Sequence, residues 1–253
     1  MNYILITGAS AGIGEVFARE LAAEKQNLIL VARREDRLTA LASELSEQHG
    51  VSIEVLAADL AATDGAEQVA AAVATSGWEL GGLVNNAGFG DRGAFTELSL
   101  ERQLNMIQVN VASLVSLTWK LLPNLKKNQG SFIINVASTA AFQAGPNMAI
   151  YYATKAFVLS FSEALHEELR ESGVAVNALC PGATESEFAA EANMTNTKLF
   201  KAGAMSAEAV VKQALAKRRS AIVIPGLRNR LMVWLGKISP RLINRRIAGW
   251  LQA

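Results

Sequence analysis

Residues 1–225 predict a doubly wound α/β domain: a central parallel sheet with helices on both faces. Three observations carry this expectation. An apolar strand at residues 3–6 runs into the glycine-rich turn Thr7-Gly8-Ala9-Ser10-Ala11-Gly12-Ile13-Gly14, and Val16, Phe17, Leu21 and Ala22 follow at helical spacing. Short apolar strand patterns then alternate with amphipathic helical ones along the chain. Several strands end in small or polar residues, at the sheet edge where ligands bind in such folds.

Composition narrows the chemistry. The chain has 253 residues, within reach of one large domain, and a net charge of +1, which gives no indication of nucleic acid. Mean hydropathy is +0.20, yet no uncharged run reaches the ~20 residues of a membrane span. Cys180 is the only cysteine, so neither an intramolecular disulfide nor a cysteine-rich metal site is expected. His49 and His166 stand far apart, which argues against a histidine metal centre or a Ser-His-Asp triad. The apolar start is too short for a secretion signal, and the expected compartment is the cytoplasm.

In the first turn, Gly8 permits the tight bend, while Gly12 and Gly14 remove side chains that would hold a pyrophosphate away from the helix N-terminus. The second strand, residues 28–32, ends in Arg33-Arg34 with no carboxylate at its tip. A ribose 2′-hydroxyl calls for an acid there and a 2′-phosphate for an arginine, so NADP(H) is favoured over NAD(H); a solvated basic turn is the alternative. Residues 37–49 read as a helix with Leu38, Leu41 and Leu45 inward and Gly50 at its end. A strand at 51–57 leads to Asp59-Leu60, where Asp59 either accepts a bond from an adenine amino group or caps the helix at 66–75.

The strand at 80–84 ends in Asn85-Asn86-Ala87-Gly88, whose asparagines can brace the sheet, contact a cofactor or do both. Residues 99–122 carry long helical patterning with Asn110 inside, and the apolar part at 111–122 reads as a core or subunit-facing helix. The strand at 131–138 places Ser138 at the sheet's ligand-binding edge. A short loop later, Tyr151 and Lys155 stand at i and i+4 of a helix, on one face. A phenol ionises near pH ~10, and an adjacent ammonium lowers that value, so the pair can exchange a proton with a substrate oxygen. The next strand, at 174–179, meets Cys180-Pro181-Gly182, with Cys180 read as a small buried hydrophobe. Residues 183–204 read as a substrate lid or an ordinary surface excursion, followed by a helix at 207–216 and a last strand at 221–224.

In this order and setting, Thr7-Gly8-x-x-x-Gly12-x-Gly14, Asn85-Asn86-Ala87-Gly88, Asn110, Ser138, Tyr151-x-x-x-Lys155 and Pro181-Gly182 resemble the short-chain dehydrogenase/reductase family. The Arg33-Arg34 pair is similar to its NADP(H)-preferring branch. The resemblance implies a Rossmann-like fold of about seven strands, the number the strand patterns also give. It implies hydride transfer between NADP(H) and a carbonyl or secondary alcohol, with Tyr151 as acid or base and Ser138 polarising the substrate carbonyl. Lys155 would lower the Tyr151 pKa and hold the nicotinamide ribose, and Asn110 would support a water relay. Tyr152, three before the lysine, faces differently. Around the cofactor the resemblance implies Gly8, Ser10, Gly12, Ile13, Gly14, Arg33, Arg34, Asp59, Leu60, Asn86, Ala87, Gly88, Pro181, Gly182 and Thr184, with Tyr151 and Lys155 shared. Ser186 replaces a frequent threonine and keeps its hydroxyl. A homodimer or homotetramer is usual in the family.

Residues 226–253 form a basic amphipathic extension with six cationic residues and no acid, which Gly236 and Ser239-Pro240 divide into two segments. It can pack on the body, cover the substrate cleft or bind a second subunit, or make peripheral contact with an anionic membrane. The substrate is expected to be a small molecule, with a mild preference for a bulky or hydrophobic one. Two readings compete with the enzyme: a non-catalytic NADP(H)-binding sensor, and a membrane-surface lipid enzyme or scaffold.

Overall fold

The computed structural model describes residues 2–194, 197–201 and 203–252. Thr195, Asn196 and Ala202 of the expected lid, and Ala253 of the extension, lie outside the described residues. The chain begins β1 (Asn2–Thr7), α1 (Gly12–Ala23), β2 (Asn27–Ala32), α2 (Glu35–His49), β3 (Ile53–Ala57) and α3 (Gly65–Thr75). β4 (Glu79–Asn85), α4 (Leu100–Ile107), a π-helical turn (Gln108–Ser113) and α5 (Leu114–Leu125) follow. Next are β5 (Phe132–Val136), α6 (Ala149–Glu168) and β6 (Ala175–Leu179). The chain closes with α7 (Glu187–Glu191), α8 (Lys198–Lys201), α9 (Ala207–Ala216), β7 (Ile222–Val223), α10 (Leu227–Ile238) and α11 (Arg241–Gln252).

The seven strands form one sheet in the order β3-β2-β1-β4-β5-β6-β7, and every pairing is parallel. The order reverses between β1 and β4, which opens a crevice beyond their carboxyl ends. The β1 alternation explains the two layers. Ile4 and Ile6 point to a core with Phe17 and Leu21 of α1, Leu38 and Leu45 of α2 and Val210 of α9. Tyr3 and Leu5 point to the opposite core, with Val69 and Val73 of α3 and Leu117 and Leu121 of α5. Full burial of a side chain such as Phe17 stabilises the fold by about 1.5–3 kcal/mol.

Local chemistry sets the ends. Gly50 closes α2 at φ +66, and the Ser99 hydroxyl accepts the Arg102 N–H at the start of α4. The expected helix at 99–122 is interrupted by the π turn, which holds Asn110. The strand expected at 51–57 starts only at Ile53, because the Ser52 N–H is taken by the Asn27 side chain. β7 is shorter than expected because Pro225, two residues past its end, has no N–H for a ladder. Gly236 does not divide the extension: α10 runs through it and stops before Pro240. No helix among the described residues is long and apolar enough to cross a membrane.

Candidate active site

Six loops at the carboxyl edge of the sheet meet around one cleft of about 800 Å³. The outer end begins at the turn after β1. Gly8 and Gly12 have φ of +66 and +56, a conformation that side-chain-bearing residues rarely adopt. A Cβ on Gly14 would collide with the Gly8 carbonyl oxygen, so this glycine seats α1 against the strand. Ala11 provides no side-chain cap, which leaves the first N–H groups of α1 available to an anion. Asn86 ties this turn to β4, its amide donating to the carbonyls of Thr7 at 2.9 Å and Gly8 at 3.2 Å. Asn85 instead braces the sheet, through Thr118 and Asn135.

Beyond β2, Arg33 and Arg34 both line the cleft, as do Ser10, Ile13, Asp59, Leu60, Ala87 and Gly88. Arg33 is exposed. Arg34 donates to the Ser10 hydroxyl at 3.1 Å and pairs with Glu187 at 3.0 Å, while Arg37 holds the other Glu187 oxygen at 2.7 Å. These bonds, that of Arg37 first, keep the Glu187 carboxyl below its ordinary pKa. Asp59 does not cap the following helix, which starts at Gly65 after Asp64; its carboxylate accepts the Ala61 N–H at 2.9 Å within the loop and stays at the cleft.

The inner end is nearly dry. Ser138, just past β5, accepts the Ala140 N–H at 3.1 Å and donates to the Pro181 carbonyl at 3.4 Å. Tyr151 and Lys155 sit on one face of α6, with the ammonium 5.8 Å from the phenol ring centroid. Burial raises the Tyr151 pKa well above its ordinary value, and Ser138 pulls it the other way. Burial also pushes Lys155 down to about 8, and its ammonium donates to the Val136 carbonyl at 2.8 Å. Lys155 does not figure among the influences on the phenol in this arrangement.

Asn110 makes both ends of its amide count. Its oxygen accepts the Phe89 N–H at 3.1 Å, and its nitrogen donates to the Phe89 carbonyl at 3.0 Å and Thr154 at 3.1 Å. This fixes the turn after β4 against α6, and a Cβ on Gly88 would come within 2.9 Å of the Asn110 oxygen and 3.4 Å of the Lys155 nitrogen. Pro181, Gly182, Thr184 and Ser186 complete the rim. Thr184 donates to the Gly182 carbonyl at 3.1 Å, and Ser186 packs beside Gly12. Cys180 is fully buried, and burial pushes its thiol up to about 12, which fits the small hydrophobe expected there.

Four residues were not foreseen. Phe188 packs on the Tyr151 ring at 5.5 Å between centroids. Glu187, whose only sequence signal is its acidity opposite a basic turn, closes the outer end. Leu251 and Gln252 wall the inner end, the Gln252 amide donating to the Tyr152 hydroxyl at 2.8 Å across a hundred residues of chain. The donor set fits a phosphorylated dinucleotide: glycines where the backbone must approach, an open helix N-terminus, and two arginines at the far edge. Among the described residues no group of acidic, histidine or cysteine side chains could hold a metal ion.

Known proteins share this arrangement. The family model for short chain dehydrogenases matches residues 2–197. Very-long-chain 3-oxoacyl-CoA reductase from Bos taurus is 33% identical over 71% of this chain, and the match spans only 58% of that protein. Serine 3-dehydrogenase from Agrobacterium fabrum is 36% identical over 73% of each chain. A short-chain dehydrogenase from Sphingobium yanoikuyae, solved in complex with NADPH, superposes with a TM-score of 0.84 at 34% identity, covering 94% of this chain and 93% of the other. By its matched residues, its sheet order and the loops that meet at its switch point, this chain belongs to the short chain dehydrogenase family.

Proposed function

We propose that this protein is an oxidoreductase that transfers a hydride between NADP(H) and a carbonyl or secondary alcohol. The observation that carries the reading is the convergence of Ser138, Tyr151 and Lys155 at the dry end of a cleft whose other end presents Arg33 and Arg34. The NADPH held by the Sphingobium relative supports the same cofactor here. When bound, the nicotinamide supplies or accepts the hydride. Tyr151 gives its phenolic proton to the substrate oxygen in reduction and recovers it in oxidation. Ser138 hydrogen-bonds that oxygen and orients the carbonyl. Lys155, with a pKa near 8, is mostly an ammonium at neutral pH, and it holds the nicotinamide ribose. Asn110 is a positioning residue that anchors the turn beside Lys155 and supports a water relay from it.

Residues 183–204 act as a lid, a role supported by Glu187 and Phe188 reaching opposite ends of the cleft. Residues 226–253 form a separate extension that walls the inner end. The apolar lining around Phe89, Phe188, Met194 and Leu251 favours a bulky, hydrophobic substrate. Trp119, 74% exposed on α5, and the exposed Phe157 on α6 support assembly into a homo-oligomer through those helices. The test is a panel of hydrophobic ketones and aldehydes with NADPH or NADH, following the absorbance of the reduced cofactor. Turnover with NADPH is expected; turnover with NADH alone would overturn the arginine argument, and none with either would overturn the enzyme.

A further inference from the structure

The two C-terminal helices have opposite faces. Inward, Val233, Ala248 and Gln252 are buried. Gly249 lies against Pro146, Lys237 sits over the Phe142 ring at 5.4 Å, and the Gln252 carbonyl accepts from Arg92 at 2.6 Å. Both helices are therefore seated on one side of the body, beside the inner end of the cleft. Outward, α10 presents Leu227, Leu231, Trp234 and Ile238 at i, i+4, i+7 and i+11, each more than half exposed. α11 repeats the pattern with Ile243, Ile247 and Trp250, the last 60% exposed. A stripe at that spacing normally faces a core, and here it faces away from one.

Charge says what covers it. Turned at 100° per residue, Arg228 borders the α10 stripe on one side and Arg230 and Lys237 on the other. Arg246 borders the α11 stripe, while Arg241 and Arg245 project from the other side of that helix. With no acid in residues 226–253, the rest of the chain carries a net negative charge. A second copy docked face to face would set cations against cations. We infer that this face lies in the plane of an anionic phospholipid bilayer, with the apolar stripes in the acyl boundary and the cations at the headgroups. The same helices wall the cleft through Leu251 and Gln252, so the bound protein would hold its substrate entrance at the lipid surface. The docking stands on this face alone and does not need the redox reading.

The test is sedimentation of the full chain with vesicles of phosphatidylcholine, with and without phosphatidylglycerol. Binding to the mixed vesicles, weaker in high salt and accompanied by a blue shift of tryptophan emission, is expected. The exposed triple change Arg230→Gln, Lys237→Gln, Arg246→Gln should cut partitioning roughly a hundredfold, at an unchanged unfolding temperature. Wild-type protein that stays in the supernatant would overturn the proposal, as would binding indifferent to the triple change. A dimer in light scattering that Leu231→Glu dissociates, without vesicle binding, would assign the face to a second copy instead.

Discussion

At the inner end of the cleft, Lys155 is buried, bonds a backbone carbonyl, and has its pKa pushed down to about 8. At the outer end, Arg34 and Arg37 are each more than a third exposed and share one glutamate. Both ends hold cations, but water is excluded from one and admitted to the other. Desolvation therefore tunes the inner group by several kcal/mol, while solvent levels most of what the outer ion pairs gain. Proton chemistry belongs at the dry end, and recognition of a permanently charged phosphate belongs at the wet one.

Four measurements break or sharpen this contrast. Tyr151→Phe removes the proton at the dry end and should lower kcat by about 10²–10⁴-fold, with NADPH binding by fluorescence titration unchanged. Lys155→Met tests the burial. The folded-state pKa near 8 lies below the ordinary 10.5, so below pH 8 the folded protein bears the whole cost of the buried charge. Between 8 and 10.5 the unfolded chain binds more protons, and wild-type stability rises with pH. Denaturant melts should therefore show the advantage of Lys155→Met, at most about 3 kcal/mol, shrinking as pH climbs through that window. At the wet end, Arg33→Ala with Arg34→Ala should raise the Kd for NADPH by roughly tenfold or more and leave that for NADH nearly unchanged; an equal loss for both would deny these residues a phosphate. Glu187→Gln is the mildest change, releasing Arg34 and Arg37 and tightening NADPH by no more than about threefold, since exposed pairs contribute little.

Much of the fold was legible because each element is set by nearby residues. The alternation in β1 chooses both cores, Gly50 ends α2, and Ser138 follows its strand at the ligand edge. The catalytic candidates were readable through the order in which they occur, which the resemblance ties together. What stayed hidden depends on contacts across the chain. Nothing near Gln252 announces Tyr152, and nothing near Glu187 announces Arg34, 153 residues away. The direction of the Tyr151 shift was hidden for the same reason: the i, i+4 spacing shows the ammonium, while the burial comes from surrounding elements.

Glu187 and Phe188 are consecutive residues of one short helix, yet one grips the arginines of the outer end and the other lies on Tyr151. A phosphate that displaces Glu187 from Arg34 pulls on the cover over the phenol in the same motion. The two reactants should then enter in a compulsory sequence, nucleotide first, and initial-velocity patterns with product inhibition should show NADP⁺ competing with NADPH alone.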